Sequence, residues 1–353
     1  MLRIKHTAFV FFILFYAFQL YAQQKPFKLF LVGDAGENEL TGETLDSLKS
    51  KLKNNPNSAV VFLGDNAYKD VFFGLIPGFK GFDSSRVSRK KMLSQLSILN
   101  GYKGSAYFVP GNHDWWNLTR FNQGKRKLKM EESFIEVNLR KNTTIANPDA
   151  TFFPQNGSPG PAVQELDGGK VKIVFIDTDW LILLGFKHTP KQNFAFEPVF
   201  YHRLDSVLDA SEREKQTVIV VAHHPVYSTG KVLAKPLKHP YLFARVKQSF
   251  EQFPSYKAMA DSIRGILEKH PGAYYACGHI HALQYHLHNG VHYLISGAGS
   301  KTNHVKGKNA KTPPCNSTDC MLWNQQGFFE IDFYKTRPQV IMYHDYGREN
   351  YRL

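Results

Sequence analysis

Runs of apolar and β-branched residues in this chain end, again and again, in a small polar cluster built around glycine, aspartate, asparagine or histidine. Phe27 to Val32 leads into Gly33-Asp34-Ala35-Gly36, and Ala59 to Leu63 into Gly64-Asp65-Asn66-Ala67-Tyr68. Ala106 to Val109 is followed by Pro110 and then Gly111-Asn112-His113-Asp114. Thr217 to Ala222 leads into His223-His224-Pro225, and Ala273 to Cys277 into Gly278-His279-Ile280-His281. Runs without polar alternation are strands buried on both faces, which requires sheets covered on both sides. Between the first two runs Leu45, Leu48 and Leu52 fall at helical spacing, which makes a β-α-β unit. Met92, Leu93, Leu96 and Leu99 mark a second helix, and further helices are expected at about Phe200 to Ala210 and Tyr256 to Lys269. Val171 to Ile176 and Val291 to Ile295 are additional buried strands, and Phe328 to Phe333 with Gln339 to Tyr343 form a terminal hairpin. The expected class is α/β, with the polar clusters at strand ends, where such folds place their sites.

The clusters span Asp34 to His281, so dividing this 353-residue chain at the usual domain size of about 150 residues would divide them as well. A single catalytic domain over 27–353 is expected, with Pro154 to Pro161 as a surface loop. Ahead of it, Arg3, Lys5 and His6 precede the apolar stretch Thr7 to Leu20, and Ala22 offers a small residue for cleavage. Residues 1–22 therefore read as a secretory signal peptide, giving a periplasmic or secreted protein with no stable membrane span after removal. Left uncleaved, the segment would be a membrane anchor. Its removal takes away Arg3 and Lys5, two positive charges, and lowers the formal net charge from +14 to +12.

Three cysteines cannot staple a chain of this length, which excludes a disulfide scaffold. Cys315 and Cys320 flank a short turn and could pair in an oxidising compartment, whereas Cys277 sits in a buried-strand context that suits an inert thiol. Basic runs occur at Arg86 to Lys91, Lys125 to Lys129 and Lys306 to Lys311. They read as solvated faces or as attraction for anionic substrates. No nucleic-acid-binding module is present, because aromatic residues are not interleaved with the basic ones.

The clusters share one chemistry. Alternate residues of an extended His-x-His segment point the same way and can approach one site. Carboxylates with imidazoles suit Fe, Zn or Mn better than Mg or Ca, which prefer all-oxygen shells. The candidate ligands outnumber what one ion needs, so two ions sharing a bridging carboxylate is the economical arrangement. Ions about 3.5–4 Å apart can clamp a phosphoryl group and generate hydroxide at neutral pH.

On these motifs, with Asp177-Thr178, His224-Pro225-Val226-Tyr227-Ser228 and Tyr293-Leu294-Ile295-Ser296-Gly297-Ala298-Gly299, the chain resembles the calcineurin-like metallophosphoesterases. Within them it is most similar to the small purple (tartrate-resistant) acid phosphatases, from about Phe27 to at least Ser300. The resemblance implies a four-layer α/β/β/α sandwich with two mixed sheets. It implies that Asp34, Tyr68 and His281 bind a first metal, that Asn112, His223 and His279 bind a second, and that Asp65 bridges both. The wider superfamily carries a histidine where Gly36 stands, and the purple branch supplies a tyrosine phenolate at the position of Tyr68 instead. A phenolate is a hard anionic ligand, so ferric iron is expected at the Tyr68 site and divalent Fe, Zn or Mn at the second. The implied activity is that of an acid phosphatase acting on phosphorylated small molecules, with hydroxide attacking in line and His113 assisting the leaving group. A phosphodiesterase or nucleotide pyrophosphatase with the same metals, or a non-catalytic binding protein on the scaffold, are the alternatives.

Some residues keep two readings at this stage. Asp114 either orients His113 or caps its turn. Trp115 and Trp116 either wall the entrance or anchor a strand-to-helix turn. His224 is adjacent to a ligand without being placed as one. His286, His288 and His292 read as alternating strand residues rather than another site. Trp115 to Gly169 and Thr229 to Ser255, the latter with Lys231, Lys235, Lys238 and Arg245, either cover the site or decorate the surface. Asn117, Asn142 and Asn316 begin glycosylation sequons.

Overall fold

Phe27–Val32, the first strand (β1), shows why the sequence makes layers. Leu29 and Leu31 enter one buried cluster while Phe30 and Val32 enter another, so both faces of the pleat are covered. The computed structural model describes residues 25–38, 40–68, 86–115, 121–187, 196–228, 254–303, 315–334 and 336–353. The N-terminal segment 1–22, Trp116, the sequon at Asn117, Lys306 to Lys311 and the basic residues Lys231, Lys235, Lys238 and Arg245 lie outside the described residues.

After β1 come α1 (Glu43–Asn54), β2 (Ser58–Phe62), α2 (Arg86–Ser97), β3 (Ser105–Phe108), the single turn α3 (Asn112–Trp115) and α4 (Phe121–Asn142). Then follow β4 (Ala162–Leu166), β5 (Val171–Phe175), α5 (Thr178–Lys187), α6 (Phe196–Arg213), β6 (Thr217–Val221) and α7 (Pro254–Leu267). The chain continues through β7 (Tyr274–Cys277), β8 (Leu283–His288), β9 (Val291–Ser296), β10 (Asp319–Leu322), β11 (Phe328–Phe333), β12 (Pro338–His344) and β13 (Glu349–Arg352). Helix α1 illustrates the local logic: Leu45, Leu48 and Leu52 are buried at helical spacing, with Glu43 and Asp46 in the first turn and Lys51 and Lys53 in the last, matching the helix dipole.

The strands form two mixed sheets. One has the order β13-β12-β11-β1-β2-β3, the other β10-β8-β9-β7-β6-β5-β4. In the first, β1, β2 and β3 run parallel, with Phe30 opposite Val60 and Val60 opposite Ala106. In the second, β5, β6, β7 and β9 run parallel. Leu29, Leu31, Val61 and Val109 of the first sheet meet Ile173, Phe175, Ile219 and Leu294 of the second in a core between the sheets. The outer faces are covered by helices: Phe30 and Phe62 of the first sheet and Val174 and Val220 of the second are buried in a cluster with the helical residues Leu48, Leu52, Leu204 and Ile263. This is the expected α/β/β/α sandwich.

The expected hairpin is present, β11 and β12 pairing antiparallel with Phe328 opposite Tyr343. Cys315 and Cys320 are disulfide-bonded, and Cys277 is a buried free thiol on β7. His286 and His288 lie on β8 and His292 on β9, each within the ladder. The described part of the stretch from Trp115 to Gly169 is mostly helix and strand, chiefly the long helix α4. Among the described residues no helix is long and apolar enough to cross a membrane.

Candidate metal centre

All five polar clusters sit just beyond the carboxyl ends of parallel strands: Asp34 after β1, Asp65 and Tyr68 after β2, Asn112 after β3, His223 after β6, and His279 and His281 after β7. The two sheets are drawn together here. Gly33 N–H donates to Ser296 O at 2.7 Å, and a Cβ on Gly278 would lie 2.5 Å from Asp34 Oδ2. Only glycine at 278 admits this approach, and it leaves His279 N–H free to donate to the same Asp34 oxygen at 2.8 Å. Asp34, Asp65 and His279 hold φ of 56°, 53° and 68°, a left-handed backbone uncommon outside glycine and concentrated at functional sites.

Two groups of donor atoms result. In the first, the Tyr68 hydroxyl donates to Asp34 Oδ1 at 2.6 Å and lies 3.0 Å from His281 Nε2, which is itself 3.3 Å from Asp34 Oδ1. In the second, Asn112 Oδ1 is approached by His223 Nε2 at 3.1 Å and His279 Nδ1 at 3.0 Å. Asp65 lies between them: its Oδ1 is 3.3 Å from His223 Nε2, and a ligand atom each of Asp34, Asp65 and His223 fall within 4.8 Å of one another. Every oxygen donor comes from the first sheet and every imidazole from the second.

The donor set fits metal ions. His223 Nδ1–H donates to Leu63 O at 2.8 Å, so Nε2 is the nitrogen that faces the Asn112 oxygen. Against burial, the charges of Asp65 and Asp34 favour a proton on this ring; a cation shared with Asn112 Oδ1 would take that proton's place. Titration follows the same crowding. Burial would raise the Asp34 carboxyl, but the hydrogen bond and charge of His281 and the charge of His223 outweigh it and hold it low. Burial likewise works against the Asp65 anion and is overcome by His223 and His113. Burial, then the charge of His223, pushes His279 down to about 3. Burial and the neighbouring carboxylates Asp34 and Asp65 drive the Tyr68 hydroxyl well above its ordinary range, so only a strongly charged ion would displace its proton.

Gly36 has no room for a side chain. A Cβ on Gly36 would lie 2.3 Å from Asn66 C and O, because the two loops run backbone against backbone. Gly36 N–H donates to Asp65 O at 3.2 Å and Tyr68 N–H to Gly36 O at 3.1 Å. This short ladder delivers Tyr68 to Asp34.

His113 stands beside Asp65. Its N–H donates to Asp65 Oδ1 at 2.9 Å, its Nε2 is 4.0 Å from Asp65 Oδ2, and its ring centroid is 4.5 Å from that of Tyr68. Asp114 is a turn cap: it accepts from the backbone of Gly111, Asn66 and Ala67 and from the Asn66 amide. Trp115 is an anchor, fully buried with its indole N–H on Asp177 Oδ2 at 2.8 Å. His224 is buried, 2.9 Å from the Thr178 hydroxyl and with its ring 4.5 Å from that of His279; a ring nitrogen each of His223, His224 and His279 fall within 4.8 Å of one another, which makes His224 a further candidate donor beside the second group. Sequence reasoning missed Lys301, whose Nζ lies 3.0 Å from the centre of the Tyr68 ring; its one signal was a charge immediately after the Gly297 to Ser300 run.

Solved structures share the fold at low identity. GAP50, the anchor in the inner membrane complex of Plasmodium, superposes with a TM-score of 0.55 at 16% identity, covering 94% of this chain and 89% of its own. A dimetal phosphatase from Danio rerio superposes at 0.52 and 12% identity, covering 93% and 99%. No curated protein matches the chain. The model of the calcineurin-like phosphoesterase family matches residues 27–283, a span that takes in every donor from Asp34 to His281. With its two mixed sheets and that span in agreement, the chain belongs to the calcineurin-like phosphoesterase family.

Proposed function

We propose that this chain is an exported acid phosphatase of the purple type, a single catalytic domain over 27–353 that hydrolyses phosphomonoesters. The observation that carries the reading is the Tyr68 hydroxyl within hydrogen-bonding distance of both Asp34 and His281, where Gly36 leaves no room for another side chain. Asp34, Tyr68 and His281 would hold ferric iron; Asn112, His223 and His279 would hold divalent Fe, Zn or Mn; Asp65 would serve both. Ions bound there supply Lewis acidity toward a phosphoryl oxygen and a nucleophile drawn from water at neutral pH. The protein's part is positional. Leu63 O fixes the His223 tautomer, and Asp34 Oδ2 fixes the His279 backbone. His113, tethered to Asp65 through its N–H, is placed to protonate a departing alkoxide or to stabilise charge on the phosphoryl group.

The test is the visible spectrum of the air-oxidised protein, with phosphate release from matched aryl mono- and diesters. A broad charge-transfer band that vanishes in Tyr68→Phe, with the monoester preferred, is the expected result. A colourless protein holding two metals would remove Tyr68 as a ferric ligand, and preference for the diester would turn the reading to a phosphodiesterase.

A further inference from the structure

Lys301 is a cation that the donor set above does not use. Its segment is held against both donor loops: Ser300 Oγ donates to Asp34 O and accepts from Glu37 N–H at 3.2 Å, and Asn303 N–H donates to His281 O at 2.7 Å. Gln326 Nε2 donates to Ser300 O at 3.0 Å from the other side. The ammonium so placed lies 3.0 Å over the Tyr68 ring and 3.3 Å from Glu37 Oε2. Its side chain is 28% exposed and that of Glu37 is 40% exposed, so the pair sits at the mouth of the site rather than within the core. Burial lowers the Lys301 pKa, while the charges of Glu37, Asp34 and Asp65 raise it; in turn its charge adds to burial in disfavouring protonation of His113. The ammonium is therefore in electrostatic reach of the bridging carboxylate and of the imidazole assigned to the leaving group.

A cation on a tyrosine ring alone would be packing. Here the loop is pinned on three sides and the one carboxylate in ion-pair range among the described residues is 40% exposed, an arrangement that leaves the ammonium free to exchange Glu37 for another anion. We propose that Lys301 is a phosphate-binding, specificity-determining residue: its ammonium leaves Glu37 for a non-bridging phosphoryl oxygen and selects the dianionic group of a monoester over the monoanionic group of a diester. This deepens the phosphatase reading and rests on it. The chemistry suits lysine, a compact point charge with three donors. A terminal phosphoryl group carries close to two charges at neutral pH, because its second pKa is about 6; a diester carries one.

The experiment uses the full-length, metal-replete protein as wild type, Lys301→Met, Lys301→Arg and Glu37→Gln. Affinity for inorganic phosphate is read by calorimetry, kcat/KM on aryl mono- and diesters, and metal content by elemental analysis. Loss of one charge-assisted hydrogen bond should weaken phosphate binding in Lys301→Met about 10- to 100-fold and lower monoester kcat/KM alike, with the diester changed less than about threefold. Metal content should not change, Lys301→Arg should recover most of the affinity, and Glu37→Gln should bind phosphate more tightly than wild type. Wild-type phosphate affinity in Lys301→Met, an equal fall on both esters, or loss of metal would each overturn the proposal. A wild-type protein that holds two metals and cleaves neither ester would instead overturn the phosphatase reading, and the phosphate titration would still decide for or against Lys301.

Discussion

A glycine with no donor atom shapes the candidate centre as strongly as the residues that have one. Gly36 faces the Asn66–Ala67 peptide so closely that a methyl group there meets backbone, which cannot swing aside as a side-chain tip would. Gly36→Ala is expected to lift the loop, break the Tyr68 N–H to Gly36 O hydrogen bond and withdraw the phenol from Asp34. Elemental analysis should show one metal equivalent lost, and stability should fall by about 1–3 kcal/mol, the usual range for overpacking. A variant that keeps both metals and its full melting temperature would contradict this account. The reading of Gly36 and Tyr68 as an exchanged pair comes from the family resemblance; Gly36 lies four residues past β1 and Tyr68 six past β2, too far apart in sequence for spacing alone to link them. Asp114 was undecidable there, since a carboxylate next to His113 serves as cap or as orienter with the same spelling. The structure separates the two through three backbone N–H groups. Lys301 was illegible for a different reason: its role depends on lying over Tyr68, a residue 233 positions away.

Elements were legible where burial is deep and illegible where hydrogen bonds alone define them. β1, β2, β6 and β9 are apolar runs and stood out; β4 has no fully buried residue and β13 is exposed throughout, so neither carries a hydrophobic signature. Both are sheet edges, held by their ladders. Helix α4 was hidden by its narrow apolar stripe, Leu128, Ile135 and Leu139, among lysines and glutamates. Strand β9 carries its own test. His292 stacks on Tyr274 at 4.3 Å and shares a hydrogen bond with the Tyr285 hydroxyl at 2.9 Å, and burial pushes it down to about 4. An unfolded histidine takes its proton near pH 6.5, so the unfolded chain binds more protons between these values. The contribution of His292 is whole above about pH 6.5 and is lost as pH falls toward 4. Urea unfolding at pH 7.5 and pH 5 should show a smaller loss in His292→Phe, which keeps the ring without the titration; equal losses would remove His292 as a source.

At the scale of the molecule, 44 basic against 30 acidic residues give a field that attracts anions. Steering of this kind is screened over about 10 Å at 0.1 M salt. Monoester kcat/KM should therefore fall as ionic strength rises from about 0.01 to 0.2 M, more steeply for a dianionic than for a monoanionic ester. A salt-independent value would confine electrostatics to the immediate site. The layers could be read from the strand runs, because strands without alternation require cover on both faces. The assignment of strands to sheets, and the order β13-β12-β11-β1-β2-β3, could not, since pairing across hundreds of residues leaves no local trace.

The division of donors between the sheets bears on ion choice. The candidate donors Asp34, Asp65, Tyr68 and Asn112 are all oxygens, an array that by itself would favour ions such as magnesium or calcium; His223, His279 and His281 are all imidazoles, which by themselves would suit zinc, copper, iron or nickel. Neither half of the chain holds a diluted version of the mixed preference. Discrimination among metals would then be a property of the seam, created when two chemically one-sided surfaces dock and reset by whatever shifts one sheet against the other.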